Sequence, residues 1–369
     1  IGWWYIDGSV NLTGSYVENL IIDNWDYCYS ITLNNSVTNF IADCSQGNGC
    51  FQINIQSFLD NSSNLEELTL KNLVFPANIN SCSSNSLTSL SLLNLEEYQS
   101  ANFGNDLNLN QFPNLLKLDI EQCQSCALPN LQSISNIDNL THLNLDVPTL
   151  SFLDPSNASN LIDLDIKGSI LTSIYLSNCP LLERLSLDDV DLTTIYLNGA
   201  NTLQELNLKS TNLSSVDLST NVNLHSFNCE DNSQLSSLDL TANNKLKTLT
   251  CENNSSLQTI NLDGADSLSI FNCSYNNQLD SLDVSNNSLL NTFFCQDNTS
   301  LTSIDLNGAD SLQNFHLINN DNINAIDLSL NNKLFSLECY DNGSLTTLDL
   351  SNNIIINSII CRDNNLQML

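Results

Sequence analysis

A fixed spacing of cysteines constrains this chain more than anything else in it. Cys229, Cys251, Cys273, Cys295, Cys339 and Cys361 stand 22 residues apart, with one interval of 44 whose skipped slot holds Leu317. Around each runs one phrase, aliphatic-x-x-(Leu/Phe/Ile)-x-(Cys/Leu)-x-x-Asn, as in LHSFNCEDN at 224–232, LKTLTCENN at 246–254 and LSIFNCSYN at 268–276. A second phrase follows eleven residues on, for example LSSLDLTAN at 235–243 and LTTLDLSNN at 345–353. A period held this long is the mark of a solenoid, in which each turn packs on its neighbours and no single core has to grow.

The same register reaches back through LQELNLKST at 203, LERLSLDDV at 182, LIDLDIKGS at 161 and LTHLNLDVP at 140 to LEELTLKNL at 65. Gaps of 22, 28 and 25 residues in the earlier part imply loops inserted into single turns, such as 96–114. In LxxLxC the apolar positions alternate with period two, which predicts a short strand, and successive copies should pair in parallel about 4.8 Å apart. The LxxLDL phrase is too short for a helix and predicts extended segments on the opposite side.

The leucine skeleton, the Asn position and the repeat length together resemble the leucine-rich repeats, in their bacterial subclass with nested 21–22-residue periodicity. The Asn-rich copies look like those of Bacteroidetes cell-surface proteins. The resemblance implies a right-handed superhelical repeat solenoid, mostly β, with a parallel concave sheet and little helix. It also implies that the Asn closing each phrase bonds backbone groups of the adjacent turn, with Cys123 in that slot in LLKLDIEQC. Residues 1–16, with Trp3, Trp4, Tyr5 and Ile6, suit an N-terminal cap; 17–64 read as degenerate repeats and 65–369 as regular ones. Because Asn364-Asn365-Leu366 stops in mid-repeat, a C-terminal cap or a further domain is expected beyond Leu369.

Charge narrows the partners. With 41 acidic and 9 basic residues the net charge is −32, which disfavours nucleic acid and anionic lipid. No apolar run approaches the roughly 20 residues of a membrane span, so direct membrane insertion is not expected.

The ladder cysteines occupy the inward position that Leu187 and Leu208 fill in earlier copies, so they read as small core residues. Cys28, Cys44, Cys50 and Cys82 fall in the irregular part and are the candidates for disulfides, with no pairing deducible. Cys123 and Cys126 form a CxxC without a redox-fold context. Asp217, Asp239, Asp283, Asp305, Asp327 and Asp349 make an outward acidic column. It reads as a solvated face; the functional alternative is calcium, with Asp283, Asp305 and Asp327 as the candidate ligands. Asp266-Ser267-Leu268, Asp280-Ser281-Leu282 and Asp310-Ser311-Leu312 match a bacterial O-glycosylation signal that arises readily in a chain this rich in Asp and Ser.

No catalytic constellation is present: His142, His225 and His316 are four repeats apart, and no nucleophile or phosphate motif occurs. The chain therefore reads as a non-catalytic module without a cofactor. The outward positions of the primary strands give columns, Asn228, Thr250, Asn272, Phe294, His316, Glu338 and Ile360 beside Glu230, Glu252, Ser274, Gln296, Ile318, Tyr340 and Arg362. On adjacent repeats Tyr275, Phe294, His316, Ile318, Phe335 and Tyr340 are expected to gather as a solvent-facing ligand patch on the concave side. The expected function is recognition of a protein or glycan at a cell surface or outside the cell, as an adhesin or as an accessory subunit of an outer-membrane complex. The alternative is a structural spacer that presents another domain; ice binding would need a flat regular Thr array, which the mixed columns lack.

Overall fold

The computed structural model of the protein describes residues 8–11, 16–23, 28–32, 36–43, 63–72, 83–95, 106–122 and 131–367. The chain forms two compact units, Ile1–Ile174 and Tyr175–Leu369. In the first, the strands Asn19–Asp23, Asn39–Asp43, Glu67–Lys71, Ser89–Leu95, Lys117–Gln122, His142–Asp146 and Asp163–Lys167 pair in that order, all parallel. A second row, Asp106–Asn108, Ser133–Ser135 and Phe152–Leu153, is also parallel. Gly8–Asn11 pairs with Cys28–Thr32. Trp3 to Ile6 lie outside the described residues, as do Cys44, Cys50, Cys82, Cys123 and Cys126.

The second unit carries the regular copies. Arg184–Asp188, Glu205–Asn207, Ser226–Asn228, Thr248–Thr250, Ile270–Asn272, Thr292–Gln296, Asn314–Ile318, Ser336–Tyr340 and Ser358–Ile360 form consecutive parallel pairs. The LxxLDL phrases are extended, in pairs such as Ser281–Asp283 with Ser303–Asp305. Among the described residues the only helical element is a 3-10 turn, Leu109–Gln111. This is a parallel β-solenoid whose turn is the sequence repeat.

Its core is made of columns. Phe227, Leu249, Phe271, Phe293, Phe315 and Leu337 stack in one, with Phe271 to Phe293 at 5.1 Å and Phe293 to Phe315 at 5.2 Å between ring centroids. Two residues on, the next column is Cys229, Cys251, Cys273, Cys295, Leu317 and Cys339, all buried. Where the first column takes Phe227, Phe271 or Phe293, the second takes Cys; where it takes Leu185 or Leu206, the second takes Leu187 or Leu208. The exchange roughly conserves core volume, which close-packed interiors require. Leu249 with Cys251, Leu337 with Cys339 and Phe315 with Leu317 depart from it.

The bend that follows this column holds a row of asparagines. Asn232, Asn254, Asn276, Asn298, Asn320 and Asn342 are buried there. Each offers its Oδ1 to the backbone N–H of the residue in the same slot one turn earlier, as in Asn276 N to Asn298 Oδ1 at 2.8 Å and Asn320 N to Asn342 Oδ1 at 2.9 Å. All of these side-chain amides except that of Asn298 in turn donate to carbonyls within the turn or one turn earlier, as in Asn276 Nδ2 to Cys251 O at 2.9 Å and to Cys273 O at 2.7 Å. Asn298 and Asn342 Nδ2 reach the thiols of Cys295 and Cys339, at 3.3 and 3.7 Å. The ladder expected from the resemblance is present from Thr211, whose N–H reaches Asn232 Oδ1 at 3.0 Å, to Asn364.

A second ladder closes the other bend. Asn221, Asn243, Asn287, Asn331 and Asn353 are buried, and each donates Nδ2 to two carbonyls of the preceding turn, as in Asn287 to Leu262 O at 3.2 Å and to Ala265 O at 3.0 Å. At Ala200, Ala265 and Ala309 the Asn is replaced, and the preceding residue is Gly199, Gly264 or Gly308. A Cβ on Gly264 would sit 1.9 Å from Thr241 O and one on Gly308 1.7 Å from Ser285 O. At these turns the backbone itself closes on its neighbour in place of an amide.

Two substitutions and one control test this construction. Asn298→Ala removes the acceptor for the buried Asn276 N–H, which should cost roughly 1–3 kcal/mol in urea unfolding, whereas the exposed Asn277→Ala should cost no more than about 0.5 kcal/mol. Gly308→Ala should destabilise to a comparable degree, because the group it meets is backbone that must shift.

Candidate binding face

The outward side of the sheet in the second unit changes character along its length. Early turns carry short amides and acids tied to each other. Asn228 Nδ2 donates to Asn207 Oδ1 at 3.0 Å, Asn272 Nδ2 to Glu252 Oε2 at 2.8 Å, and Lys209 Nζ lies 3.0 Å from Glu230 Oε1. From the strand Thr292–Gln296 onward Phe294, His316, Ile318 and Tyr340 enter the same positions, among Gln296, Glu338 and Arg362.

The parallel register sets these side chains directly over one another. Phe294 pairs with His316 and His316 with Glu338; Gln296 pairs with Ile318 and Ile318 with Tyr340. The Phe294 and His316 rings stack at 4.6 Å with 19° between planes, and His316 Nδ1 lies 3.3 Å from Glu338 Oε2. The Arg362 guanidinium sits 4.4 Å from the centre of the Tyr340 ring, with Asp363 at 2.8 Å and Asp341 at 4.0 Å. Tyr275, one position along from Ser274, takes a hydrogen bond from Gln296 Nε2 onto its hydroxyl at 2.8 Å. Burial first, then the Asp297 and Glu252 charges, push its phenol up.

Five of the six expected patch residues are wholly or partly open to solvent, and the sixth is a correction. Tyr275 is 40 % and Phe335 48 % exposed; Phe294, His316 and Tyr340 are half-buried; Ile318 is only 7 % exposed. Ile318 is hidden because Gln296 and Tyr340 flank it in register, so it forms the floor of the patch. Phe335 stands before the strand whose last residue is Tyr340, some 16 Å away in an extended chain, and so marks the opposite margin. Arg362, Gln296 and Glu338 were absent from the sequence-based patch because polar residues on a polar surface give no signal.

The other face carries the acidic column, and the structure gives it a task. Asp217, Asp239, Asp283, Asp305, Asp327 and Asp349 each accept the backbone N–H two residues on, at 2.8–3.1 Å. These are Asx turns that shape the second bend. Hydrogen bonds from Ser329 and Ser351 hold the carboxyls of Asp327 and Asp349 below the usual range. Asp283, Asp305 and Asp327 line one open groove. Among the described residues no group of three or more His, Cys, Asp or Glu is placed to hold a metal ion. Tyr175 and Tyr196 take the Asp position in the two copies before Asp217 and stack at 4.6 Å, both exposed. The pattern LTSIYL followed by LTTIYL was their signal in the sequence.

The thiols of Cys229, Cys251, Cys273, Cys295, Cys339 and Cys361 are free. Burial pushes Cys179 up to about 11 and Cys339 up to about 12, and Cys229, Cys251 and Cys273 well above the ordinary value. They are neutral packing groups rather than nucleophiles. Iodoacetamide on the folded protein at pH 8 should therefore label Cys361, which is half-buried, well before these five. Peptide mapping by mass spectrometry reads the order, and equal labelling of Cys273 and Cys361 would contradict the packing.

In the first unit Asp119 and Asp146 stand on adjacent strands of the outward face. Burial first, then the Glu121 charge, raises both carboxyls. A raised folded value means that their contribution to stability is full below the ordinary Asp range and is lost as pH rises through the folded value. Asp146→Asn should accordingly raise the melting temperature at pH 7, and that gain should vanish near pH 3.5.

No family model and no curated protein sequence matches the chain. Solved structures do. An internalin, InlF of Listeria monocytogenes, aligns over 93 % of this chain and 86 % of its own, at 18 % identity and a TM-score of 0.58. A leucine-rich-repeat protein of Leptospira interrogans aligns over 88 % and 90 %, at 16 % identity and 0.50. A functional domain of InlJ from Listeria monocytogenes that includes a cysteine ladder aligns over 63 % of this chain, at 24 % identity and 0.35; the chain spans 60 % of that one. The fold is that of a leucine-rich-repeat solenoid. Among the described residues no helix is long and apolar enough to cross a membrane.

Proposed function

We propose that this chain is a non-catalytic binding module that recognises a protein through the outward face between the turns of Tyr275 and Arg362. The observation that carries this reading is the Phe294–His316 stack beside Tyr340 and the Ile318 floor. It is a half-open apolar and aromatic patch on a face whose other turns bear Asn, Thr and Glu. Partly exposed apolar groups rimmed by polar ones mark interfaces, and rigid aromatics supply contact area at low entropic cost. A cell-surface or secreted setting, as an adhesin or as an accessory of an outer-membrane complex, is supported by the resemblance of the Asn-rich repeats to Bacteroidetes surface proteins. Nucleic acid fits poorly with the −32 charge.

The test is affinity capture from a surface-protein extract of the native source, with the wild-type chain and Phe294→Ser/Tyr340→Ser side by side. The reading expects a polypeptide retained by the wild type and reduced at least about tenfold by the variant, with unchanged circular dichroism. A polypeptide retained equally by both would remove the patch from the function and favour the spacer.

A further inference from the structure

One residue of the binding face breaks the backbone rule of its column. In nine successive turns, from Asp189 to Asp363, the residue before the first bend has a left-handed backbone, with φ between 53° and 61°. Eight of the nine are Asp, Asn or Ser, short side chains that bond locally and enter this region most easily. The ninth is Tyr275, at φ 61°. A large aromatic side chain there is disfavoured, and such outliers concentrate where a surface binds something.

What surrounds the ring suggests the ligand. The Gln296 amide holds the Tyr275 hydroxyl at 2.8 Å, so the ring is fixed while 40 % exposed. The charges of Asp297 and Glu252 act on it from the turns on either side. Both carboxylates are held by amides: Asn319 Nδ2 donates to Asp297 Oδ1, and Asn272 Nδ2 to Glu252 Oε2 at 2.8 Å. The outward positions around the ring, Glu252, Asn253, Ser274, Gln296 and Asp297, include no base. Three turns on, the same kind of frame is filled from within the chain, by Arg362 over Tyr340 between Asp341 and Asp363.

We infer that the face takes a basic polypeptide segment, one arginine of which packs over Tyr275 between Glu252 and Asp297 while an apolar neighbour lies against Phe294 and Ile318. A guanidinium suits this frame because it stacks flat on a ring and donates in its own plane to carboxylates on two sides. The net charge of −32 steers such a segment toward the chain from a distance, and the bracket of carboxylates selects where it lands. The inference rests on the binding-module reading and names the chemistry of the partner.

Octa-arginine, with octa-citrulline as its neutral isostere, is the probe, titrated by fluorescence anisotropy in 150 mM salt, about the physiological value. Wild type should bind octa-arginine and not octa-citrulline. Glu252→Gln/Asp297→Asn and, separately, Tyr275→Asn should each weaken binding about tenfold, while Asp266→Asn/Asp310→Asn, an equal charge change at exposed turn positions away from this face, should change it less than about twofold. Tyr275→Asn should also melt higher than wild type, since Asn suits the left-handed backbone, so its loss of binding cannot come from unfolding. Equal weakening by both charge-neutralising pairs would reduce the effect to diffuse attraction and overturn the inference, as would undetectable binding of octa-arginine. A captured native partner that is lost with Phe294→Ser/Tyr340→Ser but indifferent to Glu252→Gln/Asp297→Asn would leave the binding-module reading standing and remove this one. A glycan captured in the same way would overturn both this inference and the protein partner of the proposed function.

Discussion

The regular part of the fold depends on one bond repeated from turn to turn, the backbone N–H of each bend received by the side-chain oxygen of the next turn's asparagine. A solenoid bend leaves peptide groups in the interior where neither strand pairing nor water reaches them, and an unpaired buried N–H costs about 1–3 kcal/mol. Asn supplies an acceptor and two donors on a short arm, so one residue answers for its own turn and for the one before it. Phe227, Phe271 and Phe293 stand beside the narrow side chains of Cys229, Cys273 and Cys295, and sulfur lies against the amide at Cys295 and Cys339.

Much of this could be read from residues alone because the period is strict. Strand, bend, inward Cys and bend Asn follow from their positions in a repeat whose copies agree. The second set of bends was less legible. There Asn alternates with Gly-Ala, and only in the folded chain are the two seen as equivalent solutions, an amide reaching across or a backbone closing in. The acidic column was visible as charge, but its Asx geometry was not, since the acceptor role depends on the backbone two residues on.

The binding face was legible in part for a physical reason. Phe294, His316 and Tyr340 interrupt polar columns and announce themselves; Ile318 does so too, yet its neighbours cover it. Tyr275 is noticeable in LSIFNCSYN only as an aromatic residue. Its significance lies in φ, which the repeat register assigns to Asp, Asn and Ser elsewhere. Glu252, Asp297 and Arg362 matter through what they stand beside, and pairing across turns is not written in any single copy.

The parallel register of the sheet makes the face a ruler. Side chains in one column recur at the strand spacing of about 4.8 Å, so two turns span about 9.6 Å, close to the roughly 9.9 Å of three residues in an extended chain. The pitch of an α-helix, about 5.4 Å, drifts out of step with the same marks within a few turns. An extended segment lying along the column, whose side chains alternate between faces, would bring the same face back to equivalent side chains every sixth residue, about four turns on, whereas a helix in the same place would slip out of step with them.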